Sequence, residues 1–394
     1  MNQKYGPIIG LKFGPMNVVI LNNWRDVEQL LEKRGHIYSS RPSNYIANGL
    51  ICPDDTHILF APYGKTWKAQ RRAAQGLLTP RELATILPSQ QAEAVQTAYD
   101  FVRDPGRCYE HIERYTTAVI LASVIGQRGE NFESPNIQAL YDVQNRFTAL
   151  LEPGAALPNE TKARMRRGVR TGCFMEKLID EQAQNKLDDE HAIYLGGILM
   201  EPAQMQLPAL KTAQEEIDRV CGGKRSQTMD DLENLPYIEA CMHEALRWRP
   251  VAAGGIPRML MQTDTYKDFA FPAGTIFFAN TWTIHHDEVE YDDPAAFKPE
   301  RFLGGSYGFG VGRRICSGQK MAEASIKINV ARIVWGFNLE KAPGNPPDIS
   351  IETGYSGGFV IHQNKFCHHY AEERAALIQE KFEALKGFYE SLSA

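Results

Sequence analysis

One short loop narrows the possible folds of this chain more than any other part of its sequence. The loop runs from Phe309 to Gly318, places glycines on both sides of Cys316, and precedes a helical pattern that begins near Gln319. Glycine allows the backbone to turn sharply and to approach other groups closely. A helix N-terminus and a neighbouring arginine both favour thiolate, the form of cysteine that binds metals. The loop therefore predicts a metal-ligating role for Cys316, against the alternative of an ordinary small buried thiol.

Two further features of the loop fit a thiolate ligand. Backbone N–H groups in a glycine-rich turn can point at the sulfur and tune how strongly it donates to a metal. Arg314 lies two residues before Cys316, and its guanidinium could bind a carboxylate of a cofactor through two parallel hydrogen bonds. The alternative for Arg314 is a surface arginine without a ligand.

The composition excludes several classes of protein. The 394 residues include 43 Lys and Arg against 48 Asp and Glu, a formal net charge of -5, so no nucleic-acid partner is expected. The 7 cysteines are odd in number and form no Cys-x-x-Cys pair, which fits a reducing environment better than a zinc site. No stretch approaches the ~20 apolar residues that span a bilayer, so the sequence predicts no transmembrane anchor in this chain.

Hydrophobic periodicity predicts a mainly α chain with small β-sheets. The segment from Ile8 to Leu21 reads as a β-hairpin around Gly14-Pro15, and helical patterns then dominate as far as Trp248. Short apolar runs between Met259 and Ala279 predict a second small sheet. No repeat, low-complexity tract or linker occurs, so residues 1–394 are predicted to form a single domain.

At these residues the chain resembles the cytochrome P450 family, the haem-thiolate monooxygenases. The family signature is Phe-Gly-x-Gly-x-Arg-x-Cys-x-Gly, and its fixed positions are met by Phe309, Gly310, Gly312, Arg314, Cys316 and Gly318. The resemblance implies a P450-like fold and a haem b whose iron is bound by Cys316. It also implies a lipophilic small-molecule substrate and electrons that come from NADPH through a separate flavoprotein reductase. Within the family, the sequence most resembles fungal members that act in secondary metabolite biosynthesis.

Two other family signatures lie before the cysteine loop. Glu244-Ala-Leu-Arg247 puts an acid and a base on one helical face, and Arg301 follows in Pro-Glu-Arg-Phe. By itself such a pair is common on exposed helices and contributes little. The resemblance implies that Glu244, Arg247 and Arg301 form a buried ion-pair network that supports the cysteine loop.

The remaining cofactor-binding predictions concern the haem propionates. Trp67 and Arg71 fit the family's Trp-x-x-x-Arg, whose two side chains can donate to one propionate from the same helical face. Without the resemblance, a core tryptophan beside a solvated arginine would explain them equally well. Arg258 occupies the region where the family usually offers a cation to the other propionate. The resemblance thus assigns Arg71, Arg258 and Arg314 to the propionates.

Two parts of the family pattern are missing. The chain starts where the apolar anchor helix of microsomal members should already have ended. The distal Ala/Gly-Gly-x-Asp/Glu-Thr-Thr segment is absent: residues 191–201 look like its start, but Pro202 follows at once, and proline in a helix interior costs ~3 kcal/mol. Glu201 could replace the missing acid, or it is simply a solvated glutamate. The sequence predicts a shortened distal helix, caused by an internal deletion relative to the family.

Three hypotheses remain. The first is a haem-thiolate monooxygenase acting on a lipophilic small molecule. The second is a haem-binding P450-like protein without monooxygenase activity, because the distal segment is deleted. The third is a product that misfolds and aggregates because the shortened helix exposes apolar core. The expected location is the cytoplasm for the chain as given, and the endoplasmic reticulum surface if a longer form carries an anchor.

Overall fold

The protein is described from a computed structural model, which covers residues 5–43, 45–151, 207–222, 225–302, 308–341, 355–356, 359–360, 366–370 and 372–393. Within these residues the chain is mainly helical with small β-sheets, which confirms the predicted fold class. No helix in the described part of the chain is both long and apolar enough to cross a membrane. The predicted shortened distal helix, with Glu201, lies outside the described residues.

The main elements follow in chain order. The α-helices are α1 (Trp24–Val27), α2 (Gly35–Tyr38), α3 (Lys65–Leu77), α4 (Pro80–Arg103), α5 (Cys108–Ile125), α6 (Pro135–Leu151), α7 (Leu207–Cys221), α8 (Pro236–Trp248), α9 (Thr281–His285), α10 (Gln319–Gly336), α11 (Glu372–Ala384) and α12 (Lys386–Ser393). The strands are β1 (Ile8–Phe13), β2 (Met16–Leu21), β3 (Arg258–Met259), β4 (Asp264–Tyr266), β5 (Phe269–Phe271), β6 (Ile276–Ala279), β7 (Phe337–Lys341), β8 (Tyr355–Ser356), β9 (Phe359–Val360) and β10 (Phe366–Tyr370). Short 3-10 helices occur at Pro299–Phe302 and Gly312–Arg314, and a π-helix at Glu28–Lys33 continues α1.

The opening hairpin is confirmed, but the prediction of a separate second sheet is wrong in part. Strands β3 and β6 join the hairpin in one four-stranded sheet with the order β1-β2-β6-β3, and only β4 and β5 pair apart from it. Strand β6 lies parallel to β2, with Val18 opposite Ile276. A parallel pairing between segments so far apart in the chain leaves no turn signal in the sequence, because no short connection joins the two strands.

Helix ends follow local sequence chemistry in two places and tertiary contact in a third. The side chain of Asn23 accepts from the N–H of Arg25 at 2.8 Å, and Thr79 caps α4 in the same manner ahead of Pro80. At α8 the carboxylate that accepts from the first N–H groups belongs to Glu216 on α7, at 2.9 to 3.0 Å from the N–H groups of Tyr237 and Ile238. A carboxylate is favourable there because the helix N-terminus carries partial positive charge.

Two hydrophobic cores meet at the cysteine loop. The larger core combines buried side chains of α4, α5, α7, α8 and α10, and Phe309 packs against it. The smaller core lies between the four-stranded sheet and the segment that begins with α1, and Val311 belongs to it. The loop that carries Cys316 is therefore anchored on both cores, two residues apart.

Candidate active site around Cys316

The cysteine loop has a backbone shape that requires glycine at two positions. Gly310 and Gly312 have φ of 81° and 60°, in the left-handed region that strains other residues. A Cβ on Gly312 would also lie 2.7 Å from the carbonyl oxygen of Leu31. The N–H of Cys316 donates to the oxygen of Phe309 at 3.0 Å, closing the loop, and the Cys316 side chain is exposed. The loop therefore presents a free thiol just before α10.

Gly318, the remaining glycine next to Cys316, does not have a backbone conformation that requires glycine. Gly318 has an ordinary φ of -88°, and a Cβ there would lie 3.9 Å from the sulfur of Cys316, a normal van der Waals contact. The chain alone would accommodate a small side chain at this position. A ligand bound to the sulfur is one reason to keep the space open.

Three arginines predicted to bind a cofactor lie around the thiol. Arg258 donates to the carbonyl oxygens of Leu31 at 2.9 Å and Val311 at 2.6 Å, and it is buried. Arg314 donates to three backbone carbonyls, those of Ser39 at 2.8 Å, Ile58 at 3.3 Å and Ala61 at 2.7 Å. A guanidinium has five N–H groups, so both arginines keep donors for a further acceptor.

Burial dominates the electrostatics of this arginine cluster, Arg71, Arg258 and Arg314. Burial lowers the pKa of Arg258 to about 10, although the nearby carboxylate of Glu32 acts in the opposite direction. Burial, with repulsion from Arg258 and Arg71, lowers the pKa of Arg314 to about 10. Burial also lowers the pKa of Arg71, while nearby Cys316 acts in the opposite direction. Within the described part of the chain, no carboxylate forms an ion pair with any of the three. Such a cluster fits a ligand that carries two carboxylates, as haem does.

Trp67 packs against this arginine cluster. It is buried on α3, and the guanidinium carbon of Arg314 lies 4.1 Å from its ring centre, a cation–π contact. The ring of Tyr63 lies 5.2 Å from that of Trp67, and the Tyr63 hydroxyl accepts from Arg313 at 2.8 Å. Tyr63 and Arg313 thus link α3 to the cysteine loop. The sequence analysis missed this pair, since a contact between residues 250 positions apart has no local signal.

The three residues of the predicted ion-pair network do meet. Arg247 donates to both oxygens of Glu244, at 2.7 and 2.8 Å, and both side chains are almost fully buried. Arg301 lies 3.7 Å from Glu244, and the N–H of Lys298 donates to the same carboxylate at 2.7 Å. Arg247 also donates to three carbonyl oxygens, those of His285, Pro294 and Ala296, at 2.8 to 3.2 Å. The network fixes the chain that precedes the cysteine loop against α8.

A close contact connects this network to the loop. A Cβ on Gly308 would lie 2.8 Å from the Cβ of Leu246, which lies on α8 between Glu244 and Arg247. Gly308 directly precedes Phe309. Because the helix that carries the ion pair touches the start of the loop, displacement of α8 would displace the loop as well.

An exposed thiol on a glycine-rich loop, near arginines that form no ion pair within the described residues, offers a ligand for a metal and N–H donors for an anionic group. The family model described as Cytochrome P450 matches residues 1–189 and 207–369. The chain belongs to the cytochrome P450 family.

Curated relatives support this assignment. Cytochrome P450 monooxygenase patH of Penicillium expansum is 30% identical over 91% of this chain and 81% of its own length. Cytochrome P450 monooxygenase AOL_s00215g282 of Arthrobotrys oligospora is also 30% identical, over 98% of this chain and 86% of its own length. The alignment with patH spans 430 positions, more than the 394 residues present here, so that relative has residues without a counterpart in this chain.

Solved structures agree on the fold. A zebrafish cytochrome P450 structure with progesterone has a TM-score of 0.75 at 22% identity, covering 94% of this chain and 97% of its own. A second zebrafish structure, with abiraterone, has a TM-score of 0.72 at 22% identity and covers 94% and 98%. At this identity the likeness establishes the fold.

Proposed function

We propose that the protein is a haem-thiolate monooxygenase that acts on a lipophilic small molecule in fungal secondary metabolism. The observation that carries the proposal is the exposed thiol of Cys316 near three arginines that form no ion pair with any carboxylate of the described residues. Haem matches both halves of this arrangement, because its iron accepts a thiolate and its two propionates accept guanidinium N–H groups. When bound, the haem supplies oxygen activation, with electrons from NADPH through a separate flavoprotein reductase.

Each residue near the thiol has a distinct part in this proposal. Cys316 binds the iron, and its short backbone loop, with Gly310 and Gly312, holds the sulfur in place. Arg71, Arg258 and Arg314 neutralise the propionates, and Trp67 keeps the Arg314 guanidinium oriented by stacking on it. Glu244, Arg247 and Arg301 act at a distance, because they position the chain that leads into the loop.

The proposal of a lipophilic substrate is supported by the relatives and by the fold. The two fungal relatives are named cytochrome P450 monooxygenases, and the two zebrafish structures contain progesterone and abiraterone. These names describe those proteins. They support a substrate of similar polarity here, within a fold that places a small molecule beside the haem.

A second candidate function is haem binding without monooxygenase activity. The family match is interrupted between residues 189 and 207, where the sequence lacks the acid and threonine that help deliver protons to oxygen in this family. The patH alignment, longer than this chain, supports a deletion. Under this alternative the protein binds haem through Cys316 but consumes NADPH without coupled product formation.

Haem ligation is tested by the difference spectrum of dithionite-reduced protein with carbon monoxide. We expect a thiolate-type Soret band for the unchanged protein and for Cys52→Ala, a control at another free cysteine, and loss of this band in Cys316→Ala. A band that survives in Cys316→Ala, or well-folded protein that takes up no haem, would refute the ligand assignment. Comparing product formed with NADPH consumed, in the presence of a P450 reductase, then separates the two candidate functions.

A further inference from the structure

Tyr63, which lies just before α3, contacts three separate parts of the chain around the arginine cluster. Its ring centre lies 5.2 Å from that of Trp67 on α3. Its hydroxyl accepts from the Nη1 of Arg313, in the cysteine loop, at 2.8 Å. Its backbone N–H donates to the hydroxyl of Ser40 at 3.2 Å. Tyr63 therefore joins α3, the cysteine loop and the segment that contains Ser40.

The segment at Ser40 is itself bonded to the surroundings of two of the arginines. The backbone oxygen of Ser39 accepts from the Nε of Arg314 at 2.8 Å. The backbone oxygen of Ser40 accepts at 2.9 Å from the N–H of the residue that follows Arg258. The contacts of Tyr63 thus reach the chain beside every member of the arginine cluster, either directly or through one further hydrogen bond.

Arg313, the partner of the Tyr63 hydroxyl, directly precedes Arg314 in the cysteine loop. Its guanidinium carbon also lies 5.8 Å from the Tyr63 ring centre. A Cβ on Gly35, at the start of α2, would lie 3.9 Å from the Cγ of Arg313, so the aliphatic part of this side chain lies beside α2. Among the described residues, the Tyr63 hydroxyl is the hydrogen-bond acceptor that fixes the Arg313 guanidinium.

Repulsion within the arginine cluster gives a physical reason for such a link. Arg71 on α3 and Arg314 in the cysteine loop carry like charges, and repulsion from Arg71 contributes to the lowered pKa of Arg314. Like charges at short range favour separation of the two segments that carry them. The hydrogen bond between Tyr63 and Arg313 opposes this separation. Because a hydroxyl is neutral, it does so without adding a carboxylate that would compete with an anionic ligand for the arginines.

We propose that Tyr63 is a positioning residue for haem binding. By holding Arg313, it keeps α3 and the cysteine loop together, so that Arg71 and Arg314 can bind the propionates of one haem. This inference rests on the proposed function, because it takes haem as the ligand of the arginine cluster. Donors that are already arranged before binding reduce the free-energy cost of binding a ligand. Removal of the hydroxyl should therefore weaken the hold on the propionates and leave the bond between Cys316 and iron in place.

A comparison of haem with haem dimethyl ester, whose propionates are blocked, tests the proposal. Tyr63→Phe removes the hydroxyl and keeps the ring that packs on Trp67. In absorbance titrations of the haem-free protein, we expect Tyr63→Phe to bind haem roughly three- to tenfold more weakly than the unchanged protein does, and to bind the ester with unchanged affinity. Equal haem affinities for the two proteins would overturn the proposal. An equal loss for haem and for the ester would also overturn it, since that result would indicate a general effect on the fold.

Two further variants assign the effect to one hydrogen bond. Tyr266→Phe is the matched control, because the Tyr266 hydroxyl donates to Asp26 at 2.9 Å and not to a group of the cysteine loop. This control should leave both affinities unchanged. Arg313→Met, at an exposed position, removes the donor of the proposed hydrogen bond. Because the two side chains act through one contact, Tyr63→Phe should cause no further loss of haem affinity in the Arg313→Met background. A full second loss in that background would contradict the proposal.

The carbon monoxide difference spectrum separates this inference from the proposed function. At saturating haem, we expect the same thiolate-type Soret band for the unchanged protein and for Tyr63→Phe, with the weaker haem affinity of the variant as the difference between them. A thiolate-type band in both proteins with equal haem affinities would refute the positioning role alone. Absence of the band in well-folded unchanged protein would refute the haem assignment, and the positioning role with it.

Discussion

Two regions of this protein that each contain a buried arginine, Arg247 in one and Arg258 in the other, treat the charge in opposite ways. In the ion-pair network Glu244 lies between Arg247 and Arg301, and each donor of Arg247 faces a carboxylate or a carbonyl. In the arginine cluster of Arg71, Arg258 and Arg314, no carboxylate of the described residues pairs with the guanidinium groups, and burial lowers the pKa of all three.

The difference distinguishes a structural site from a ligand site. The network is complete within the chain, so its contribution should appear in the stability of the protein without any cofactor. In the proposed function the arginine cluster binds the haem propionates, so its contribution should appear in haem affinity. Such local charge imbalance is costly to the fold alone and is a physical sign of function.

The largest expected effect comes from removing the shared carboxylate of the network. Glu244→Ala should lower the free energy of unfolding by about 3–5 kcal/mol, because it leaves Arg247 buried without its counter-charge. Denaturant unfolding of the haem-free protein measures the loss. Glu239→Ala is the matched control, since Glu239 lies on the same helix, pairs with Lys327 at 2.8 Å and is 46% exposed. The control should lose under about 1 kcal/mol, and comparable losses in the two variants would refute the structural role.

A buried carboxyl group that forms no ion pair within the described residues extends the comparison from arginines to an acidic side chain. Glu113 on α5 is 8% exposed, and burial, reinforced by Glu110, raises its pKa to about 8. An acid can take up a proton and become neutral, which the arginines of the cluster cannot do near pH 7. The folded state therefore binds a proton that the unfolded state has already released above about pH 4.5.

This linkage predicts that stability falls as pH rises. Between pH 5.5 and 7.5 the contribution of Glu113 to the free energy of unfolding should decrease by about 2–3 kcal/mol. The measurement is a set of denaturant titrations over this range, in which Glu113→Gln should show a flatter profile than the unchanged protein. Glu130→Gln, at an exposed position, is the control. Parallel profiles for Glu113→Gln and the unchanged protein would disprove the assignment.

The smallest expected change in stability lies in the arginine cluster, where the effect should appear in haem binding instead. Arg71→Gln should leave the free energy of unfolding of the haem-free protein within about 1 kcal/mol, because Arg71 forms no ion pair within the described part of the chain, and should weaken haem binding roughly tenfold. Absorbance titration with haem gives the affinity. Arg72→Gln, an exposed neighbour on α3, should change neither quantity. If Arg71→Gln lowered the free energy of unfolding but left haem affinity unchanged, Arg71 would have a structural role and not the proposed haem-binding role.

Local patterns in the sequence predicted much of the fold. The hairpin of β1 and β2 and the start of α10 at Gln319 both follow from residues close together in the chain. The Phe309 to Gly318 loop was predicted as a turn rich in glycine, and its two positive φ values lie at Gly310 and Gly312. The haem-binding roles of these residues stay a prediction.

Other features needed the folded chain. The parallel pairing of β2 with β6 joins residues on either side of most of the helical region, and the Glu216 carboxylate caps a helix that is not its own. The Tyr63–Arg313 hydrogen bond is equally invisible in the local sequence, and so are the Nε of Arg332 and the Nε1 of Trp335, which are buried without a hydrogen-bond partner among the described residues. These contacts depend on where distant segments pack.

The thiol-bearing loop, the family signature and the opening hairpin can therefore be read from the sequence alone, because backbone propensities and short-range hydrogen bonds act over a few residues. Which buried charges have a partner depends on the folded chain. Desolvation and Coulomb interactions depend on distances between side chains that lie far apart in the chain, so the compensated network and the uncompensated arginine clusters could be told apart only after the chain had folded.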